Sequence, residues 1–226
     1  MLPVNWSSLI TLLLLSGSGC SNAGPADRAE ELARSGDHKQ PIELHDHVTP
    51  TSKDPAAFVN RAITRATLGD LDAALRDYDA ALQLIAERSP GGGDPFLPMT
   101  YYNRGVAYQM AGKCQPAIKD FEKTIALNPD YPDAAHNLAW IFATSADETI
   151  RNGKRALELA LGEVQKSPNN PNALDTLAAA YAATGDFANA ITTQEKALTK
   201  CFPDQKQRFS ARLDLFRANK SYVEAP

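Results

Sequence analysis

Cysteine is nearly absent from this chain. Of 226 residues three are cysteine, at positions 20, 114 and 201, and no two stand close enough to form a Cys-x-x-Cys pair. That argues against a zinc or iron–sulfur site. An excess of basic charge is also missing: 23 Lys and Arg face 27 Asp and Glu, for a net charge of -4. The chain therefore advertises no basic face for a nucleic-acid backbone. Catalytic signatures are lacking too. There is no G-x-S-x-G, no H-E-x-x-H and no P-loop, and the run Gly91-Gly92-Gly93 is without the lysine and following helix that phosphate binding needs. His45-Asp46-His47 offers two imidazoles but no third ligand or shaped surround, so it reads as solvated linker. The chain is accordingly read as non-catalytic, with no cofactor and no metal. Valine is sparse between Pro55 and Ala218, where alanine and leucine dominate, and this favours helices over strands.

The first residues carry an apolar run, Leu9 to Leu15, of the length of a signal-peptide core and too short to span a bilayer. Ser16, Gly17, Ser18 and Gly19 follow, and then Cys20. Small residues ahead of a cysteine resemble the lipobox of bacterial lipoproteins, although Gly17 stands where that family usually has leucine and the n-region has no Lys or Arg. The resemblance implies a signal peptide over 1–19, a lipidated Cys20, and a membrane-anchored place in the bacterial cell envelope facing the periplasm. A soluble secreted or periplasmic protein is the alternative. Residues 20–54 are rich in Pro, Asp, Lys and His with little periodicity, and read as a flexible linker.

The strongest signal is internal repetition. Asn103-Arg104-Gly105 and Asn137-Leu138-Ala139 stand 34 residues apart, as do Ala156 and Ala190. With Tyr101, Gly105, Tyr108, Gly112, Ala117 and Phe121 in one unit, and Leu174, Leu177, Ala178, Tyr181, Gly185-Asp186, Ala190 and Ala197 in another, residues 55–203 resemble the tetratricopeptide repeat (TPR) family. That implies an all-α solenoid of about four helix-turn-helix repeats, near 55–88, 98–131, 132–170 and 171–203. Two stretches exceed the period, Ser89 to Pro95 and Ser145 to Gly153, and both are expected to be surface loops. Ala160 and Gln194 stand where the family has an aromatic ring, and Glu163 where it has alanine; those places are expected to be loosely packed or covered by the inserted loop. Residues 204–220 read as a capping helix, with Phe209, Leu213 and Phe216 on one face and Arg208, Arg212 and Arg217 on others.

The resemblance also implies a groove lined by the first helix of each repeat. The slot held by Asn60, Asn103 and Asn137, and by Thr176 in the fourth repeat, suits hydrogen bonding to the backbone of an extended peptide, since an amide both donates and accepts. Tyr102, Val106, His136 and Trp140 complete the expected binding face, with the two aromatics as anchors. Packing against the 145–153 loop is the other reading of Trp140. The lysines of the family's carboxylate clamp are replaced by Val59, Asp133 and Asn137, so capture of a terminal carboxylate by that route is not expected. Cys114 falls near a helix start, where the dipole lowers a thiol pKa; an inert, half-buried thiol is the plainer reading. These features together suggest a protein–protein interaction adaptor binding a partner segment in the groove and tethered to the membrane through Cys20. The alternative is an envelope module that binds a small ligand or peptidoglycan fragment.

Overall fold

The computed structural model describes residues 53–224, and among these there are nine α-helices and no strand. In chain order they are α1 (Pro55–Thr67), α2 (Leu71–Arg88), α3 (Leu97–Met110), α4 (Cys114–Leu127), α5 (Ala134–Thr144), α6 (Gly153–Lys166), α7 (Pro171–Ala183), α8 (Phe187–Lys200) and α9 (Lys206–Arg217). The chain divides into two compact units, one up to Ala107 and one from Tyr108 onward. Residues 1–19, expected to be a signal peptide, and Cys20, His45 and His47 lie outside the described residues.

One turn recurs. Gly69, Gly112 and Gly185 have φ of 85°, 68° and 83°, a conformation that costs glycine nothing and an L side chain about 1 kcal/mol. At each, the glycine N–H donates three residues back and the next N–H donates five back, as in Asp186 to Tyr181 at 3.0 Å. This Schellman pairing satisfies carbonyls that the helix end leaves open. The following aspartates cap the next helix: Asp70 accepts from the Ala73 N–H at 3.2 Å and Asp186 from the Asn189 N–H at 3.1 Å. Asn219, at φ 54°, ends α9 with the same pair of bonds. So α9 terminates as a first helix of a repeat does, but no second helix follows among the described residues.

The third helix pair has no such glycine. The segment 145–152 joins α5 to α6, with Ile150 buried, the Asn152 N–H bonded back to the Phe142 carbonyl at 2.8 Å and the Asn152 side chain capping α6 at the Arg155 N–H. In unit 1 the joining segment 89–96 is closed by Asp94, which is buried, accepts from the Phe96 N–H at 2.9 Å and pairs with Arg88 at 2.5 Å.

Alanines at the helix contacts (Ala62, Ala74 and Ala81 in unit 1; Ala117, Ala139, Ala156, Ala178, Ala190 and Ala197 in unit 2) are fully buried. They let helix axes approach while Tyr78, Phe121, Leu138, Leu174, Phe209 and Phe216 fill the spaces beside them. Each large side chain so buried contributes about 1.5–3 kcal/mol. The expectation of loose packing in the third and fourth repeats is corrected. Ala160 is buried, and the start of α6 lies so close to the end of α7 that a Cβ on Gly153 would sit 2.8 Å from the Ala183 carbonyl oxygen. At Gly153 the missing side chain lets the two helices approach. Gln194 is also fully buried, for a different reason: it donates to the Asp175 carboxylate at 2.7 Å and to the Phe209 carbonyl at 3.2 Å.

Candidate binding face

Unit 1 carries four of the residues singled out for binding. Asn60 is half-buried on α1 and Val106 half-buried on α3. Tyr102 and Asn103, on α3, are buried. Neither the nitrogen nor the oxygen of the Asn103 side-chain amide has a hydrogen-bond partner in the structure. Leaving a buried amide unmet costs about 1–3 kcal/mol. Asp77 of α2 is buried between two arginines of α1, Arg61 at 2.6 Å and Arg65 at 2.8 Å.

Unit 2 carries the other three. Asn137 is buried on α5, and His136 beside it is half-buried with its Nδ1 3.2 Å from the Thr176 hydroxyl. Burial holds the His136 imidazole below its ordinary pKa, against the opposing pull of Asp133, Asp175 and Glu163. Trp140 meets the segment that follows α9. Its ring meets Tyr222 with centroids 5.8 Å apart and planes tilted by 40°, and its indole N–H donates to Glu224 at 3.0 Å. The guanidinium of Arg212 stands 5.2 Å from the Trp140 ring, 5.3 Å from Tyr222 and 5.2 Å from Phe209. Trp140 is half-buried, and its ring is contacted by both Tyr222 and Arg212.

Arg212 is the largest departure from the sequence reading, which set it on a face away from the packed aromatics. It is 3 % exposed and grips Asp175 of α7 with two bonds, 2.8 and 2.5 Å. Asp175 in turn holds Gln194, so one carboxylate ties α7, α8 and α9 together. The helix-face argument failed because two charge-assisted bonds to a buried carboxylate, within reach of a three-methylene stem, outweigh the preference of arginine for water. Tyr222 and Glu224 were missed altogether. An aromatic and an acid two apart in an otherwise unpatterned tail were the only signal.

Cys114 opens α4, but burial pushes its thiol pKa up and Glu224 adds to the rise. Cys114 and Cys201 are both free thiols. Among the described residues no group of three or more His, Cys, Asp or Glu could hold a metal ion, and no helix is long and apolar enough to cross a membrane.

The helix-turn-helix pairs, their small-residue contacts and their recurring turn decide the architecture, and comparison with known proteins agrees. Residues 54–130 and residues 171–199 each match the tetratricopeptide repeat family. This is a TPR fold. A solved structure of MamA superposes with a TM-score of 0.63 at 21% identity, covering 80% of this chain and 96% of that one. A tetratricopeptide repeat protein from Parabacteroides merdae gives 0.65 at 20% identity, covering 86% and 72%. By sequence, the serine/threonine-protein phosphatase T of Trypanosoma brucei brucei is 31% identical over 93 residues, 41% of this chain and 18% of the phosphatase. A tetratricopeptide repeat and J domain-containing co-chaperone of Cryptococcus neoformans is 31% identical over 98 residues, 43% of this chain and 17% of its own length. The matched stretch thus spans under a fifth of either relative. TPR arrays are in general protein–protein interaction scaffolds and are typically non-catalytic.

Proposed function

We propose that this protein is a non-catalytic adaptor that holds an extended segment of a partner protein against the first helices of its repeats, exported behind its N-terminal signal and tethered to the envelope membrane through Cys20. The observation that supports the binding role is the repeat architecture itself, whose first helices carry an asparagine at the same slot in three successive repeats, among them Asn103. Asn60 and Asn137 occupy the corresponding slots of the neighbouring repeats. Replacing Asn60, Asn103 and Asn137 together by alanine is expected to abolish capture of partners from an envelope extract while leaving helical circular dichroism intact. Undiminished capture would discard the asparagine slots as the binding element. The tether rests on Cys20 and the apolar run before it. A Cys20→Ser variant is expected to leave the membrane fraction, and unchanged partitioning would remove the anchor from the proposal.

A further inference from the structure

Past Asn219 the chain does something a repeat array does not require. Lys220 to Glu224 has no helical structure and crosses the face formed by α5 and α7. The Ser221 hydroxyl donates to the Ala182 carbonyl at 2.8 Å, near the end of α7. The Glu224 N–H donates to the Thr144 carbonyl at 2.7 Å, at the end of α5. The Thr144 carbonyl lies at a helix end, where carbonyls lack partners within their own helix, and the Ala182 carbonyl, which also accepts from the Gly185 N–H, has a second lone pair for the hydroxyl. Between these bonds Tyr222 lies on Trp140 and under Arg212, and the Glu224 carboxylate takes the indole N–H with Arg212 nearby. Val223 points away and is 43% exposed. A short extended segment is thus held by a serine hydroxyl at one end, a backbone bond at the other, one aromatic slot and one carboxylate slot, with the residue between them unread. This is how a groove holds a peptide ligand.

We propose that residues 221–224 are a built-in occupant of the α5–α7 face, and that the partner which uses this face is an extended peptide carrying an aromatic residue two positions before an Asp or Glu. The partner must displace the internal segment. That segment is tethered by the three residues after α9, so it competes at an effective concentration of about millimolar. Its hold consists of the two bonds to helix-end carbonyls, the Glu224 carboxylate on the indole N–H with Arg212 nearby, and the contacts of Tyr222 with Trp140 and Arg212, all of which a partner peptide of the same pattern would reproduce. Arg212 is positioned for the ligand by Asp175, which fixes the guanidinium in place and leaves its flat faces to the aromatic rings.

This inference refines the adaptor reading and rests on it for the identity of the face, but its test does not touch the asparagines. A fluorescein-labelled peptide with the sequence of residues 219–226 is titrated by anisotropy against the intact chain, a chain ending at Lys220, and the full-length double variant Tyr222→Ser/Glu224→Gln. Both altered chains are expected to bind the peptide at least about tenfold more tightly than the intact chain does, with unchanged helical circular dichroism. Adding Trp140→Ala to the shortened chain, or changing the tyrosine or glutamate of the peptide, is expected to abolish binding. Equal, weak binding by all three chains would overturn the proposal, as would a shortened chain that keeps its helices but ignores the peptide. An intact chain that sediments as a dimer and becomes a monomer on shortening would also overturn it, since the occupant would then belong to a second copy. If the peptide binds as expected but no partner is captured from extract, the adaptor reading fails while this one stands.

Discussion

The two units each bury an aspartate against arginine, and they do it differently. In unit 1 Asp77 is held by Arg61 and Arg65, both on α1, the helix it faces within its own hairpin. In unit 2 Asp175 is held by a single arginine, Arg212, which lies 37 residues downstream on α9. The first arrangement is local and doubly provided. The second is non-local, and one side chain pairs the carboxylate, covers Trp140 and Tyr222, and draws α9 onto α7. A buried pair contributes little net stability over apolar packing, but removing one member leaves a buried charge uncompensated. The lesson is that the cost of losing an arginine depends on whether a second one is at hand.

The largest expected effect follows directly. Arg212→Ala should lower stability by about 3–5 kcal/mol, because Asp175 is left buried with only Gln194 as a donor. Urea unfolding followed by circular dichroism measures it. A loss below about 1 kcal/mol would mean that water replaces the guanidinium freely and that α9 is not held by this pair. Next comes a contrast within α6. Gly153→Ala should cost about 1–3 kcal/mol, since its Cβ would press on the Ala183 backbone at 2.8–2.9 Å. Gly162→Ala, on the same helix with nothing within 4 Å, should instead stabilise by roughly 0.5–1 kcal/mol. The same sign for both would show that the close approach of α6 and α7 relaxes without cost. Arg61→Ala is the local counterpart to Arg212→Ala. Arg65 remains on Asp77, so the loss should be nearer to about 1 kcal/mol. A loss as large as that of Arg212→Ala would erase the distinction between the two units.

The difference between local and distant pairing also marks how far the sequence could be read. The all-α TPR architecture was legible because its determinants are short-range. Gly69, Gly112 and Gly185 each mark a turn, and alanines spaced by the repeat mark the helix contacts. What was not legible depends on contacts between residues far apart in the chain. Trp140 was recognisable as a candidate anchor, but its partner Glu224 is 84 residues away in a segment with no periodicity. Gln194 looked like a poorly filled aromatic slot. Its meaning appears only when Asp175, 19 residues before it, and the Phe209 carbonyl, 15 after it, are placed beside it. Arg212 was assigned by helix-face arithmetic, which counts angles around one helix and cannot see a carboxylate on another.

The smallest expected effect sharpens the comparison through pH, because His136 adjoins the Asp175 cluster. Burial keeps its imidazole below the ordinary value near 6.5, even though Asp133, Asp175 and Glu163 each favour the proton. The sign is fixed by which state binds more protons. As pH falls below about 6.5 the unfolded chain protonates at this position while the folded chain does not, so stability declines with falling pH until the folded-state pKa is reached. Above that window His136 is neutral in both states and contributes no slope. The denaturation midpoint should therefore drop between about pH 7.5 and pH 5.5, and His136→Gln, which keeps a donor and acceptor for Thr176 without titrating, should flatten that part of the drop. If the intact protein grows more stable as pH falls through the same range, or the variant follows it unchanged, then the nearby carboxylates outweigh burial. The Asp175 cluster would then behave as an open site, unlike the closed pairing of Asp77 with its two arginines.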